Sequence, residues 1–570
     1  MNLSKSALAT TITSIGAVLL VLALYSYAAD LSATTTAPSG LSKVNHIIIA
    51  MQENHSFDSY FGVLPYHKAG LFQYHSGPCK AKDHSCINAL SCKRDLSGNY
   101  TCTNSNQDDA GSRTFAFHSK DYCPSPDLDH GWASTHSEAN LESPNDTLTS
   151  MPNDGFVIIN DKTEQVDSGE SPIEDDTMGF YNEDDLPYYY GLAETFAISD
   201  TYFCDVLGPT FPNRSYLQAA TSFGHLTTSE EIPPFGGYKP ITGTIYDRLD
   251  AAGITWADYF NDLPDAGTFR NPVVSPTGNF RPFAQYAIDL QAGNLPQVVF
   301  LDPELAGESN LATDEHPPHD IRAGENYMQS MVVDPLRQSS SWKDSILFIT
   351  YDEHGGLYDH ARSPIAPQGG ALTPDGIAPG QCADNSAPPA STQPGGGTNC
   401  TSSATSDAPG LCPSFTATGP YPAGCANFNQ LGLRVPFIAV SPFSKLHYVS
   451  HVTADHTAML AMIEKRFNLK PLTKRDAGNL ATDPLEDLFD FANAPSQSVD
   501  FTQIPAAPMP NLVTDGNGDC TAVNASNGQP MSVAAHIVRS HAASMKVCRD
   551  DTRSLIRSLL AGAPTRSVLK

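Results

Sequence analysis

Positive charge is scarce in this sequence. Of its 570 residues only 33 are Lys or Arg, against 62 Asp and Glu, for a formal net charge of −29. A polyanion is bound through a basic footprint, so nucleic acid is excluded as a partner. Strongly anionic membranes are disfavoured, whereas zwitterionic lipid and small substrates are not. There is no heptad pattern and no sustained repeat, so the chain is neither a coiled coil nor a repeat array. No close Cys-x-x-Cys pair stands among the 12 cysteines, which excludes the usual thiolate zinc site. No twin arginine opens the chain. Charged residues make up 17% and hydrophobic ones 40%, a balance that indicates a globular rather than a disordered protein.

What is present begins with an export signature over residues 1–29. Lys5 supplies a weak positive start, Ile15 to Leu24 form an apolar core of signal length, and Ser26 to Asp30 offer small residues for cleavage. The rival reading is an uncleaved anchor, but ~20 apolar residues are reached only by counting Thr10, Thr11, Thr13 and Ser14. The expectation is export to a periplasmic or extracellular location, with anchoring by the N-terminus as the alternative. Cysteines cluster at Cys79, Cys86, Cys92, Cys102 and Cys123, then at Cys382, Cys400, Cys412 and Cys425, with Cys520 and Cys548 near the end. In an exported protein this predicts disulfides that staple long loops. Cys204 stands apart, either a buried free thiol or the partner of the odd member of the first cluster.

Along the chain, residues 30–42 read as a mobile leader and 43–496 as one catalytic domain with disulfide-rich insertions at 63–129 and 361–430. Residues 497–570 read as a linker and a capping helix near 531–561. That last helix carries Arg539, Lys546, Arg549, Arg553 and Arg557, which could meet a membrane surface; capping is the preferred reading. His46–Met51, Gly253–Tyr259, Gln297–Leu301, Ser345–Tyr351 and Val435–Val440 read as strands. Residues 186–200 read as a helix running into a strand, and Ala454–Phe467 as a helix. Continuous apolar runs alternating with helices predict an α/β fold with a parallel sheet buried on both faces. In such sheets ligands sit at the carboxyl ends of the strands.

Two of these strands end in acidic groups. His46–Met51 runs into Gln52-Glu53-Asn54-His55, and Ser345–Tyr351 into Asp352-Glu353-His354-Gly355-Gly356. Adjacent carboxylates at the end of a buried strand repel and lose hydration, so they call for a cation. An oxygen-rich set suits a hard or borderline divalent ion. Gly208-Pro209-Thr210-Phe211-Pro212-Asn213-Arg214 holds a hydroxyl stiffly, with a guanidinium four residues on that can fork onto a phosphate. An ordinary turn before a helix is the competing reading. Among the histidines, His316 in Asp314-Glu315-His316-Pro317-Pro318-His319-Asp320 is the best proton donor by context.

Four blocks in order, "HIIIAMQENHSFDSYFG", "FAISDTYFCDVLGPTFPNRSY", "FITYDEHGGLYDH" and "SPFSKLHYVSHVTADHTAMLAMIEKRF", together resemble the bacterial phosphoesterase family of phospholipases C and acid phosphatases, from about His46 to Leu469. His55 departs from that pattern, where relatives usually carry Arg. The resemblance implies an alkaline-phosphatase-like three-layer sandwich around a mostly parallel sheet. It implies one divalent metal ion held by Glu53, Asn54, Asp352 and Glu353, together with Thr210 as the nucleophile, its oxygen also on the metal. It implies further that His130 and His316 contact phosphoryl oxygens or the leaving group. No residue of the Trp256, Asp258, Tyr259 region is carried over. The spacing from Thr210 to Arg214 is also that of the sulfatase signature, but oxidising a threonine would give a ketone, not the aldehyde those enzymes use. A plain hydroxyl suits phosphoryl transfer, with Arg214 offsetting charge. The expected substrate is a phospholipid or small phosphoester, with transient membrane contact. The alternatives are an acid phosphatase, with which the 18 histidines and acidic balance are compatible, and a non-catalytic binding protein on the same fold.

Overall fold

The computed structural model describes residues 40–508, apart from 125–126, 161–175, 227, 229–236, 241, 271–277, 306–311 and 367–427. The chain divides into two units, 1–43 and 44–570. The first is described only in the short turn Gly40–Lys43. The expected signal, most of the leader, the cysteines from Cys382 to Cys548 and the C-terminal helix lie outside the described residues. No helix among the described residues is long and apolar enough to cross a membrane.

The second unit is built on an eight-stranded sheet. In chain order its strands are β1 His46–Gln52, β2 Ala197–Ser199, β3 Trp256–Phe260, β4 Phe280–Pro282, β5 Val298–Asp302, β6 Ser345–Tyr351, β7 Phe437–Val440 and β8 Tyr448–Ser450. Their spatial order is β4-β3-β5-β1-β6-β7-β2-β8. Ile47–Ile49 and Ile346–Phe348 are β-branched or bulky and suit a pleated, enclosed surface. Every residue of β6 and all but the first of β1 is buried. Successive side chains point to opposite faces, so both faces of the sheet are covered, as a three-layer α/β sandwich requires. The expected α/β fold with a central, mostly parallel sheet is therefore present.

Sequence and structure part company in several places, and the strand expected from Val435 starts at Phe437. β7 runs antiparallel to both β6 and β2; an apolar run buried on both faces carries no mark of its direction. The strand expected from Gly253 starts at Trp256, because Gly253 closes the helix Ile245–Ala252 in a left-handed turn, φ 68°. The helix expected from Ala454 starts at His456, with Asp455 in extended conformation before it. The first insertion is not a bare loop. It holds three-residue strands paired in small two-stranded sheets, stapled by Cys79–Cys86 and Cys92–Cys102. Cys123 is also in a disulfide. Cys204 is a buried free thiol, which settles its two readings.

Candidate active site

β1 and β6 pair in step along their whole length, from His46 opposite Ser345 to Gln52 opposite Tyr351. Both strands therefore end at one level, and the Asp352 N–H extends the ladder to the Gln52 carbonyl at 3.1 Å. Glu53-Asn54 and Asp352-Glu353 emerge side by side at the carboxyl edge. Asn54 takes the left-handed conformation, φ 61°, one of the few residues that does so readily. Its N–H donates to Asp352 Oδ1 at 3.2 Å, which also accepts from the Glu353 N–H at 2.7 Å. A glycine is required beyond: Gly355 has φ +63°, and a Cβ there would lie 2.3 Å from the Asn54 carbonyl oxygen.

Thr210 opens the helix Thr210–Ala219, where the helix dipole favours negative charge. Asn213 fixes the approach, accepting from the N–H groups of Asp205 and Val206 and donating to the Gly208 carbonyl at 2.7 Å. Arg214 lies one turn on, on the same helical face as Thr210. It is buried and reaches Glu53 Oε1 at 3.0 Å, Asp352 Oδ2 at 3.1 Å and Asp265 Oδ2 at 3.6 Å. It also donates to the carbonyls of Met51 and Gln52. In this structure Arg214 is engaged with the acidic strand ends, so the helix that begins at Thr210 is tied to both of them.

His130 and His316 meet on the other side, ring centroids 5.7 Å apart and edge to face. His130 Nδ1 lies 2.7 Å from the Leu128 carbonyl, and His316 Nδ1 lies 2.6 Å from the Pro317 carbonyl. Each contact fixes Nδ1–H as the donor. His130 Nε2 faces Asn54 Nδ2 at 3.2 Å and Glu353 Oε1 at 3.5 Å. Asp127, which the sequence reading overlooked, stands between the two rings, 3.8 Å from His130 and 3.9 Å from His316. Burial alone would lower the His130 pKa, but Glu353 and Asp127 outweigh it and raise it to about 10. His316 is raised as well, with Asp127 and Glu53 overcoming burial.

The acidic groups answer in kind. Burial raises Glu53 to about 8 against the pull of Arg214, and raises Asp352 to about 6. Burial pushes Glu353 upward too, yet His130 and His354 hold it below its ordinary value. Asn54 Oδ1 is buried without a hydrogen-bond donor, and Glu353 Oε1, also buried, makes no hydrogen bond but faces His130 Nε2 at 3.5 Å. Unpaired buried acceptors are costly, and an all-oxygen set with orphaned lone pairs fits a hard divalent ion. Donor atoms of Asp127, His130 and His316 also lie within 4.8 Å of one another. Two further acidic groupings are otherwise engaged: Cys79 is in a disulfide, and Asp58 pairs with Arg434 at 3.0 Å.

His55 has a structural account. It is fully buried against Tyr60, with ring centroids 4.4 Å apart, and edge-on to Tyr351. Its Nε2 lies 3.0 Å from the Glu315 carbonyl. Burial lowers its pKa to about 3, so the ring is neutral and serves as an uncharged donor. Also missed from sequence were Asp265 beneath Arg214 and Glu138, which accepts from His354 at 2.9 Å. Asp127 stands three residues before His130 in Asp127-Leu128-Asp129-His130, where Asp129 is an equal candidate and nothing in the sequence chooses between them.

The chain is similar in sequence to several known proteins. The chain is 29% identical over 443 residues to non-specific phospholipase C6 of Arabidopsis thaliana, covering 75% of this chain and 73% of that protein. It is 28% identical over 515 residues to phospholipase C B of Mycobacterium tuberculosis, covering 84% and 85%. The solved structure of human ectonucleotide pyrophosphatase/phosphodiesterase 5 aligns at 11% identity with a TM-score of 0.29, over 54% of this chain and 94% of that one, a superposition too slight to support any inference. The phosphoesterase family model matches residues 44–470. That span takes in both acidic strand ends, the threonine-led helix and the two facing histidines, and the chain accordingly belongs to the phosphoesterase family, as a phosphoric ester hydrolase.

Proposed function

We propose that this protein is a phospholipase C-like phosphodiesterase, cleaving a glycerophospholipid such as phosphatidylcholine into diacylglycerol and a phosphorylated head group. The observation that carries the reading is Arg214. One turn after Thr210, it pairs with both Glu53 and Asp352, which ties the helix that begins at Thr210 to the two acidic strand ends. The phospholipase C names of the relatives support a diester substrate.

Thr210, ionised to its alkoxide with the hydroxyl proton lost to solvent, attacks phosphorus through Oγ1, forming one P–O bond while the bond to the diacylglycerol oxygen breaks. His316, held through Nδ1, presents Nε2 to protonate that leaving oxygen. His130 places positive charge against a phosphoryl oxygen, and the start of the helix adds its dipole. Water then attacks the phosphothreonine, His316 takes its proton, and the P–Oγ1 bond breaks. Glu53, Asn54, Asp352 and Glu353 are the residues that would hold a divalent ion, which when bound would supply positive charge beside the phosphoryl group and lower the pKa of the threonine hydroxyl. We place the enzyme outside the cytoplasm, in line with its disulfides and with the export signal or anchor expected from residues 1–29, with transient contact to a lipid surface.

The test is a substrate panel on purified protein with and without prolonged chelation. p-Nitrophenyl phosphorylcholine and phosphatidylcholine vesicles should be cleaved, and chelation should stop turnover until a divalent ion is restored. Cleavage of p-nitrophenyl phosphate alone would replace this reading with a phosphomonoesterase. Turnover that survives chelation would remove the ion from the scheme.

A further inference from the structure

Behind the two facing histidines lies a buried carboxylate that the mechanism does not use. Glu315 is fully buried, and its two oxygens accept four hydrogen bonds. Oε1 accepts from Gln52 Nε2 at 3.0 Å and the Tyr189 hydroxyl at 2.6 Å. Oε2 accepts from the hydroxyls of Tyr60 and Tyr351, both at 2.6 Å. The donors come from β1, the helix Phe57–Phe61, the helix Pro187–Thr195 and β6. A single carboxylate thus joins four elements at the edge where the acidic strand ends emerge.

The backbone around it is laced to the same edge. Gln52 Nε2 donates to the Thr313 carbonyl at 2.8 Å, the Glu53 N–H to the Asp314 carbonyl at 2.8 Å, and His55 Nε2 to the Glu315 carbonyl. Three consecutive carbonyls therefore accept from the turn that carries Glu53 and Asn54. Glu315 itself sits in the left-handed region, φ 72°, a conformation that is strained for a non-glycine residue and persists only where surrounding contacts demand it. Gly324 shows how tightly the side chain is enclosed, since a Cβ there would lie 2.1 Å from Glu315 Cγ. The next residue along this bent backbone is His316.

We infer that Glu315 is a positioning residue: its carboxylate, anchored by three tyrosines and Gln52, fixes the backbone turn that aims His316 at the leaving group. It touches neither substrate nor reacting atoms. The inference rests on the reading of His316 as the proton donor to the departing alkoxide.

Leaving-group dependence tests it. Diacylglycerol leaves as a basic alkoxide and needs a proton, whereas p-nitrophenolate leaves readily without one. Three variants are compared with wild type on phosphatidylcholine and on p-nitrophenyl phosphorylcholine: His316→Asn, Glu315→Gln and Tyr189→Phe. A lost general acid costs roughly 100-fold or more where protonation matters, so His316→Asn should slow the lipid by that order and the nitrophenyl ester far less. Glu315→Gln should show the same selectivity at about 10- to 100-fold, mainly in kcat rather than KM. Tyr189→Phe removes one donor from a helix away from the acidic strand ends; it should show the same pattern more weakly, and it decides the matter if Glu315→Gln does not fold. If His316→Asn is selective while the Glu315 and Tyr189 variants slow both substrates alike, or neither, the positioning role is overturned. If His316→Asn slows both alike, the proton-donor reading has failed and the inference falls with it.

Discussion

Replacing Arg214 by methionine tests how the acidic strand ends are tolerated. The guanidinium is 4% exposed and lies 3.0 and 3.1 Å from carboxylates that are 9% and 0% exposed. Breaking a buried pair by removing one partner costs about 3–5 kcal/mol, because the orphaned charge stays in low dielectric. Here two carboxylates and two backbone carbonyls lose the same donor, so the upper part of that range is expected at alkaline pH. Protonation offers the carboxylates an escape. Without Arg214 their folded-state values rise further above their unfolded values, so the folded variant binds protons that the unfolded chain releases. Stability then falls as pH rises, and the deficit of Arg214→Met should be largest near pH 8 and shrink toward pH 5. Chelated wild type and variant would be unfolded in urea at both pH values and their midpoints and slopes compared. A deficit under about 1 kcal/mol, or one that does not change with pH, would refute the claim that Arg214 compensates the carboxylates.

Thr210→Ala should abolish turnover on every substrate while the thermal midpoint stays within a few degrees of wild type; retained turnover would remove Thr210 as nucleophile. Gly355→Ala forces a side chain to within 2.3 Å of the Asn54 carbonyl at a left-handed φ, and should cost more than about 2 kcal/mol in denaturant unfolding and loosen metal affinity with it. Asp302 is buried, its Oδ2 accepting the Asp265 N–H at 2.6 Å. Burial and Asp265 raise its pKa to about 7. Its stabilising contribution is therefore complete below the ordinary carboxylate range and lost as pH rises through about 7. Asp302→Asn should flatten that part of the stability profile, and an unchanged slope would count against the assignment.

Much of the active edge was legible in short stretches. An apolar run such as Ile47–Met51 that stops abruptly at Gln52-Glu53-Asn54 announces both a buried strand and a polar task at its end, because burial and the cost of unpaired charge act locally. The same holds for Ser345–Tyr351 before Asp352-Glu353, and for the stiff, proline-flanked Thr210. Asp127 and Glu315 were not legible in this way. Each is an acid among other acids in sequence, and each acquires its role from partners brought in by folding: His316 for the first, and Gln52, Tyr60 and Tyr189 for the second. His55 read as an anomaly until its aromatic surroundings showed why the ring is neutral.

By itself, then, the sequence determined which segments are buried strands and which of them end in acidic groups, since apolar periodicity and side-chain chemistry are properties of neighbouring residues. The tertiary structure alone decided the in-step register that sets Glu53 beside Asp352, the antiparallel course of Phe437–Val440 and the grip of Arg214 on two strands at once. These depend on contacts between residues far apart in the chain, which no local pattern specifies.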